Sequence, residues 1–152
     1  LSFSKIIPCG GTWMVNADLI KAGQFDQITA LARQAVEQML GFELAHVGIN
    51  AENSGQAAAI AGRFATVFGL PAKDDNSSVF AGSAVEVMKT PYLGTNGHIA
   101  IRTNYIDRAV HYLENSGVEM NWDSAKYGDK KELKAIYLKE EIGGFAVHLV
   151  QK

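Results

Sequence analysis

Three histidines and one glutamate carry most of the chemistry that this chain can offer. His46 stands in ELAHVGIN, His98 in GHIAIRT, His148 in FAVHLV and Glu86 in AVEVMK, each inside a short alternating run rich in apolar residues. Alternation sends successive side chains to opposite faces of a strand. His46 then shares a face with Leu44 and Gly48, His98 with Ala100 and Arg102, Glu86 with Ala84 and Met88, and His148 with Ala146 and Val150. The opposite face is in each case the more uniformly apolar one. One face would feed a core and the other would line a cavity. Imidazoles beside a carboxylate form a donor set for zinc, nickel, iron or manganese. Three neutral imidazoles and one carboxylate leave a divalent ion with a net charge of about +1, which acidifies water bound to it. Taken singly, each histidine reads better as a partly buried polar residue satisfied by its neighbours. The matched placement of the set favours a metal site. His111 has no partner at matching spacing and reads as a surface residue.

The elements that must position these residues form a repeat. Glu43 to Asn50 is a strand, and residues 55–68 (GQAAAIAGRFATVF) form a helix with Ser54 as its N-cap and Gly69-Leu70-Pro71 as its stop. A polar loop over 73–78 leads to strands at 78–81 and 84–89. The order then recurs. Strand 97–103 precedes a helix marked by Ile106, Ala109, Val110 and Leu113 and ended by Gly117. Strands at 118–122 and 135–139 flank a charged loop over 123–134, and a last strand covers 145–150. Each half is a βαβββ unit, and the two recur at a spacing of roughly 50 residues, which suits a paired α+β arrangement. The modules cover 42–90 and 97–152, joined by Pro91-Tyr92-Leu93-Gly94. The repeat makes His46 equivalent to His98, and Glu86 equivalent to His148.

Residues 1–40 have a different character. A short strand candidate at 5–9 runs into Gly10-Gly11-Thr12, and a helix follows in which Phe25, Ile28, Leu31, Ala32, Ala35, Val36 and Met39 recur at helical spacing. Asp26 is its candidate cap and Gly41 its stop. Two glycines let the backbone approach an anion, and Thr12 adds a hydroxyl, so Gly10, Gly11 and Thr12 are candidates for phosphate or carboxylate binding. An ordinary Gly-Gly turn is the competing reading.

Composition narrows the function. The 152 residues are 47% hydrophobic and 20% charged, as expected of a globular chain. With 14 basic and 16 acidic residues the net charge is −2, which argues against a nucleic-acid partner. Cys9 is the single cysteine, so no intramolecular disulfide can form, and a reducing, cytoplasmic compartment is expected. No apolar run approaches the roughly 20 residues that span a bilayer, and no secretory leader is visible, so no membrane partner is expected. The chain opens on Leu1, which reads as a piece of something longer.

Residues 43–152 resemble the vicinal oxygen chelate superfamily, which includes glyoxalase I, methylmalonyl-CoA epimerase, bleomycin-resistance proteins and extradiol dioxygenases. The resemblance rests on LAHVGIN, AVEVMK, GHIAIRT and the terminal strand after Gly143-Gly144. It implies two βαβββ modules curving around a metal held by His46, Glu86, His98 and His148. The family usually has a glutamate where His148 stands. Its acidic-Pro-Asp-Gly turn before that strand is replaced by Glu140-Glu141-Ile142-Gly143-Gly144.

Residues 5–40, with the string GGTWMVNADLIKAGQFDQITALARQAVE, resemble the C-terminal end of the 2-keto-3-deoxy-6-phosphogluconate / 4-hydroxy-2-oxoglutarate aldolases. That resemblance implies the last strand, anion-binding loop and helix of a truncated TIM barrel. Neither Lys5 nor Lys21 matches the motif of the Schiff-base lysine, so no aldolase activity is expected of this chain alone. The apolar helix face from Ile28 to Met39 must be covered by the metal domain or by a second copy, so a homodimer or higher homo-oligomer is expected.

Two functional readings follow. In one, the chain is part of an aldolase-type lyase of carbohydrate metabolism, and its glyoxalase-like domain binds or acts on an α-keto or α-hydroxy acid. Glu86 is then the candidate base and Arg102 the candidate carboxylate clamp, although Arg102 reads better as a solvated strand-end residue. In the other, the domain is a non-catalytic binding, regulatory or dimerisation module of the aldolase.

Overall fold

The computed structural model describes residues 11–152, which fall into two compact units divided between Met39 and Leu40. In the first unit, α1 (Ala17–Lys21) starts at Asn16, whose side-chain oxygen accepts from the Leu19 amide at 2.8 Å. This short helix has no apolar period and is not foreseen from the sequence. The helix α2 (Phe25–Leu40) follows. Asp26 lies within its first turn, favourably placed against the positive helix end, rather than at the cap position. The strand candidate at 5–9 and Gly10 lie outside the described residues.

The second unit, residues 40–152, contains β1 (Glu43–Asn50), α3 (Ser54–Phe68), β2 (Ala72–Asp74), β3 (Ser78–Ala81) and β4 (Val85–Met88). It continues with β5 (His98–Thr103), α4 (Ile106–Asn115), β6 (Met120–Tyr127), β7 (Leu133–Ile142) and β8 (Phe145–Gln151). Each half reads βαβββ. All strands join one sheet in the order β2-β3-β4-β1-β5-β8-β7-β6. That order is unchanged when the halves are exchanged, so a pseudo-twofold axis runs between β1 and β5. Those two central strands pair antiparallel, with Val47 opposite Ile99. Each is flanked by the last strand of its own half in parallel, β4 beside β1 and β8 beside β5.

The apolar face of the sheet is covered by the helices. Ala57 and Ala61 of α3 are fully buried against Val79, Ala81 and Val87, with Ile49, Phe64 and Leu70 around them. Alanines on this helix face let it lie close to the β-branched surface. In the second half Ile106, Ala109 and Val110 of α4 are buried, and the helix packs on β7 and β8. The chain enters this unit through Leu40, which is fully buried; its carbonyl accepts from Thr103 Oγ1 at 2.7 Å and from the Asn104 amide at 2.8 Å.

Several boundaries differ from the sequence reading. The N-cap of α3 is Asn53 rather than Ser54: its backbone is extended and its side-chain oxygen accepts from the Gln56 amide at 2.9 Å, while Ser54 is already helical. Part of the 73–78 loop is the edge strand β2, whose residues are all exposed and so carry no apolar alternation. The 123–134 loop is mostly strand, because β6 and β7 extend into it as a charged, bulged hairpin. Strand β7 also runs through Glu140 and Glu141 to Ile142, leaving Gly143 and Gly144 as the turn. The segment around 91–94 is pinned, with Asn50 Nδ2 donating to the carbonyls of Tyr92 and Gly94 at 3.2 and 3.1 Å. Gly94 has φ +92°, and a Cβ there would press on the Ala146 amide and the Gly97 carbonyl. No helix among the described residues is long and apolar enough to cross a membrane.

Candidate metal centre

The sheet register brings the four donor residues to one face on two adjacent rungs. The first rung runs Phe80, Glu86, Gly48, His98, Ala146 across β3, β4, β1, β5 and β8. The second runs His46, Ala100, His148, Tyr137 across β1, β5, β8 and β7. The pseudo-twofold relates Gly48 to Ala100 and Phe80 to Tyr137. The residue between each outer donor and its neighbour is therefore small, and an aromatic stands at each flank.

Gly48 is required by the first rung. A Cβ there would lie inside the imidazole of His98, in contact with Cε1, Nδ1 and Nε2. The His98 ring thus lies over the bare backbone of β1 and is only 1% exposed. From there its Nε2 reaches 3.1 Å from Glu86 Oε2 and 3.3 Å from His46 Nε2. His46 Nε2 is 3.0 Å from the same carboxylate oxygen. Metal–donor bonds of about 2.0–2.2 Å place neighbouring donors about 3.0 Å apart at right angles and about 3.4 Å apart in a tetrahedron. The three observed separations have the spacing of donors around one ion. His148 stands near the two other imidazoles: candidate ligand atoms of His46, His98 and His148 all lie within 4.8 Å of one another, a group that does not include Glu86.

Hydrogen bonding within the site is uneven. Burial alone would raise the Glu86 carboxyl, but bonds from His46, His98 and Ser78 outweigh it and hold Glu86 well below the usual carboxylate range. Ser78 Oγ donates to Glu86 Oε1 at 2.7 Å. His148 shows the reverse. Burial, aided by the nearby His98 and His46, pushes it down to about 3, so it stays neutral. Both of its ring nitrogens, and Nδ1 of His98, are buried without a hydrogen-bond partner. Buried polar atoms are seldom left so. The His148 ring is positioned by stacking on Tyr137, with centroids 4.4 Å apart and planes 17° from parallel. Burial also pushes the Tyr137 phenol above its ordinary range, helped by Tyr92 and Glu86.

The other candidates lie apart from this cluster. Arg102 is on the same face, one rung beyond Ala100, but its guanidinium donates to the Ala45 carbonyl at 3.3 Å and pairs with Glu43 at 3.5 Å. Thr12 is exposed, and Gly11 borders a hollow of about 520 Å³ beside Trp13, Met14, Val36 and Met39. His111 is exposed on α4, 3.0 Å from Asn115 Nδ2. Sequence reasoning does not find Ser78 or Tyr137. Ser78 meets Glu86 diagonally across a hairpin, and Tyr137 depends on the register of the bulged β6–β7 region.

Comparison with known proteins finds two kinds of likeness, one short and one extended. No protein-family model matches it. A stretch of 37 residues, 24% of the chain, is 49% identical to the KHG/KDPG aldolase of Escherichia coli. Another of 36 residues is 47% identical to the 2-dehydro-3-deoxy-phosphogluconate aldolase of Dickeya dadantii. The chain spans 17% of the length of each of these curated relatives. Among solved structures, a variant methylmalonyl-CoA epimerase of Streptomyces coelicolor, in complex with 2-nitronate-propionyl-CoA, aligns with a TM-score of 0.52 at 15% identity. That alignment covers 72% of this chain and 94% of the epimerase. The methylmalonyl-CoA epimerase of Mycobacterium tuberculosis aligns with a TM-score of 0.51 at 17% identity, over 74% of this chain and 89% of that one. The eight-stranded sheet of two βαβββ halves, shared with these epimerases, is the vicinal oxygen chelate fold, and it is joined in this chain to a short aldolase-like segment.

Proposed function

We propose that residues 40–152 form a metal-dependent module that takes up a small α-keto or α-hydroxy acid through two adjacent oxygens, with the ion held by His46, Glu86, His98 and His148. The carrying observation is the convergence of a half-buried carboxylate oxygen and two ring nitrogens at inter-donor spacing, beside a third imidazole whose nitrogens have no protein partner. A divalent transition metal (zinc, nickel, iron or manganese) would supply Lewis-acid polarisation of the two substrate oxygens. Glu86 stays ionised and contributes the one negative charge of the donor set. His148 stays neutral, with one ring-nitrogen lone pair available. Phe80 and Tyr137 flank the donors and limit water. Arg102, released from Glu43, offers a cation to the acid's carboxylate. The proton-carrier role expected of Glu86 would require it to leave its place, and three hydrogen bonds oppose that.

The N-terminal segment supports placing this module beside an aldolase-type lyase of keto-acid and carbohydrate metabolism, in a cytoplasmic homo-oligomer. Gly10, Gly11 and Thr12 would retain the anion-binding loop. A second reading, binding without turnover, is favoured by the presence of an imidazole at 148 where a proton-carrying carboxylate would serve an isomerase.

Elemental analysis of the purified protein beside His46→Ala and His98→Ala is the test. Near-stoichiometric metal in the wild type, lost in both variants, supports the reading. Loaded protein is then offered α-keto acids, α-hydroxy acids and methylmalonyl-CoA. Turnover selects the enzyme, and saturable binding without turnover selects the second reading. No metal after reconstitution with zinc, nickel, manganese and ferrous iron overturns the metal-dependent module and leaves only a binding or dimerisation module.

A further inference from the structure

The two halves of the donor set are related by symmetry in position but not in support. Glu86 and His148 occupy equivalent places in β4 and β8. Glu86 is bonded on both oxygens: Oε1 accepts from Ser78, and Oε2 faces His46 and His98. The His148 ring makes no hydrogen bond and rests on Tyr137. Ser78 is 2% exposed, so its hydroxyl does not depend on solvent for a partner. Its place is fixed by the β3–β4 ladder, in which Ser78 pairs with Met88 and Phe80 with Glu86.

A carboxylate can hold a cation through one oxygen or through both. With Oε1 occupied by a hydroxyl, only Oε2 is presented to the imidazoles. We infer that Ser78 is a positioning residue that fixes Glu86 as a one-oxygen ligand, so that an ion is anchored rigidly from the first half of the sheet and exchanges ligands on the side of His148. This rests on the proposed metal centre and adds the division of labour within it. The general basis is that outer partners of ligating side chains set their orientation, and their loss costs about 10–100-fold in metal affinity.

The test is a double-mutant cycle on cobalt(II) binding, read by competition with a chromophoric chelator. Ser78→Ala is expected to weaken binding by about 10–100-fold in the wild-type background. It should have an effect of less than about twofold in a Glu86→Ala background, because Ser78 acts through Glu86. The visible spectrum of the cobalt(II) form should change in Ser78→Ala as the carboxylate becomes free to use both oxygens, and should be restored in Ser78→Thr. His148→Ala should weaken binding less than His46→Ala. If Ser78→Ala does not fold, Ser78→Cys keeps the volume with a weak donor and carries the same comparison. An equal loss in both backgrounds, or no loss and an unchanged spectrum, overturns the inference. Wild-type protein that binds no metal overturns the proposed function instead.

Discussion

Adding one methyl group at Gly48 should disable the site from behind. The Cβ of Gly48→Ala would fall within the imidazole of His98, touching three of its ring atoms. Ordinary contact between non-bonded heavy atoms is about 3.5–4.0 Å, so the ring must move by an ångström or more. His98 has little room to move. It is 1% exposed, and the rings of His46 and His148 both stand with centroids 5.3 Å away. Overpacking of this kind costs about 1–3 kcal/mol. The same displacement takes Nε2 away from its positions 3.1 Å from Glu86 and 3.3 Å from His46. If the strain is relieved by swinging His98 aside, re-forming the site costs that energy again, which is a loss of about 5- to 150-fold in metal affinity. The assay is chelator competition with zinc and cobalt, together with urea unfolding of the metal-free protein. Gly62→Ala is the control: it lies within α3, a Cβ there meets nothing within 4 Å, and it should stabilise by about 0.5–1 kcal/mol. Wild-type affinity and stability in Gly48→Ala would refute the placement of His98 over β1.

Two further outcomes follow from the same structure. His148 is held neutral down to about 3, against an ordinary value of 6.5, so the unfolded chain binds a proton that the folded chain refuses across that window. Metal-free protein should therefore lose stability as pH falls from 6.5 towards 3, and urea titrations of His148→Leu should lack about 1.4 kcal/mol per pH unit of that slope. Thr103→Val removes the buried bond to the Leu40 carbonyl while keeping shape; the carbonyl keeps its bond from the Asn104 amide, so the loss should be about 0.5–1.5 kcal/mol by the same measurement. No change there would mean that this contact does not anchor the start of the domain.

That His46, Glu86, His98 and His148 share one face of the sheet is legible in the sequence because their strands are regular enough for parity to assign faces. The repeat supplies the rest: residues at matching positions of two identical folding units must meet near the axis that relates them. The support around the donors is not legible. Ser78 reaches Glu86 across a hairpin, at a diagonal fixed by the β3–β4 register. Gly48 reads in the sequence as a gap in the pattern, and its role appears only when the ring above it is placed. Tyr137 stacks on His148 through strands whose bulges break any simple count. Edge strand β2 is invisible for another reason: with one neighbour and all three residues exposed, it needs no apolar residues. At the other end of the chain, the 1–40 segment is recognised from its residue string rather than from a periodicity.

The axis between β1 and β5 has a consequence for how such a site can change over time. Each half of the sheet supplies two donors, so neither half alone can enclose an ion. If the halves descend from one duplicated ancestor, their donors began as the same pair, and exchanging a carboxylate for a neutral imidazole in one copy alters the charge of the whole by a single unit. Glu86 and His148 show such a divergence, one anionic and one neutral at equivalent places. The fold tolerates it because the rungs beneath, with Gly48 and Ala100 as their small members, set the geometry independently of the charge above them. Charge at this centre can therefore drift one step at a time while its shape is inherited intact.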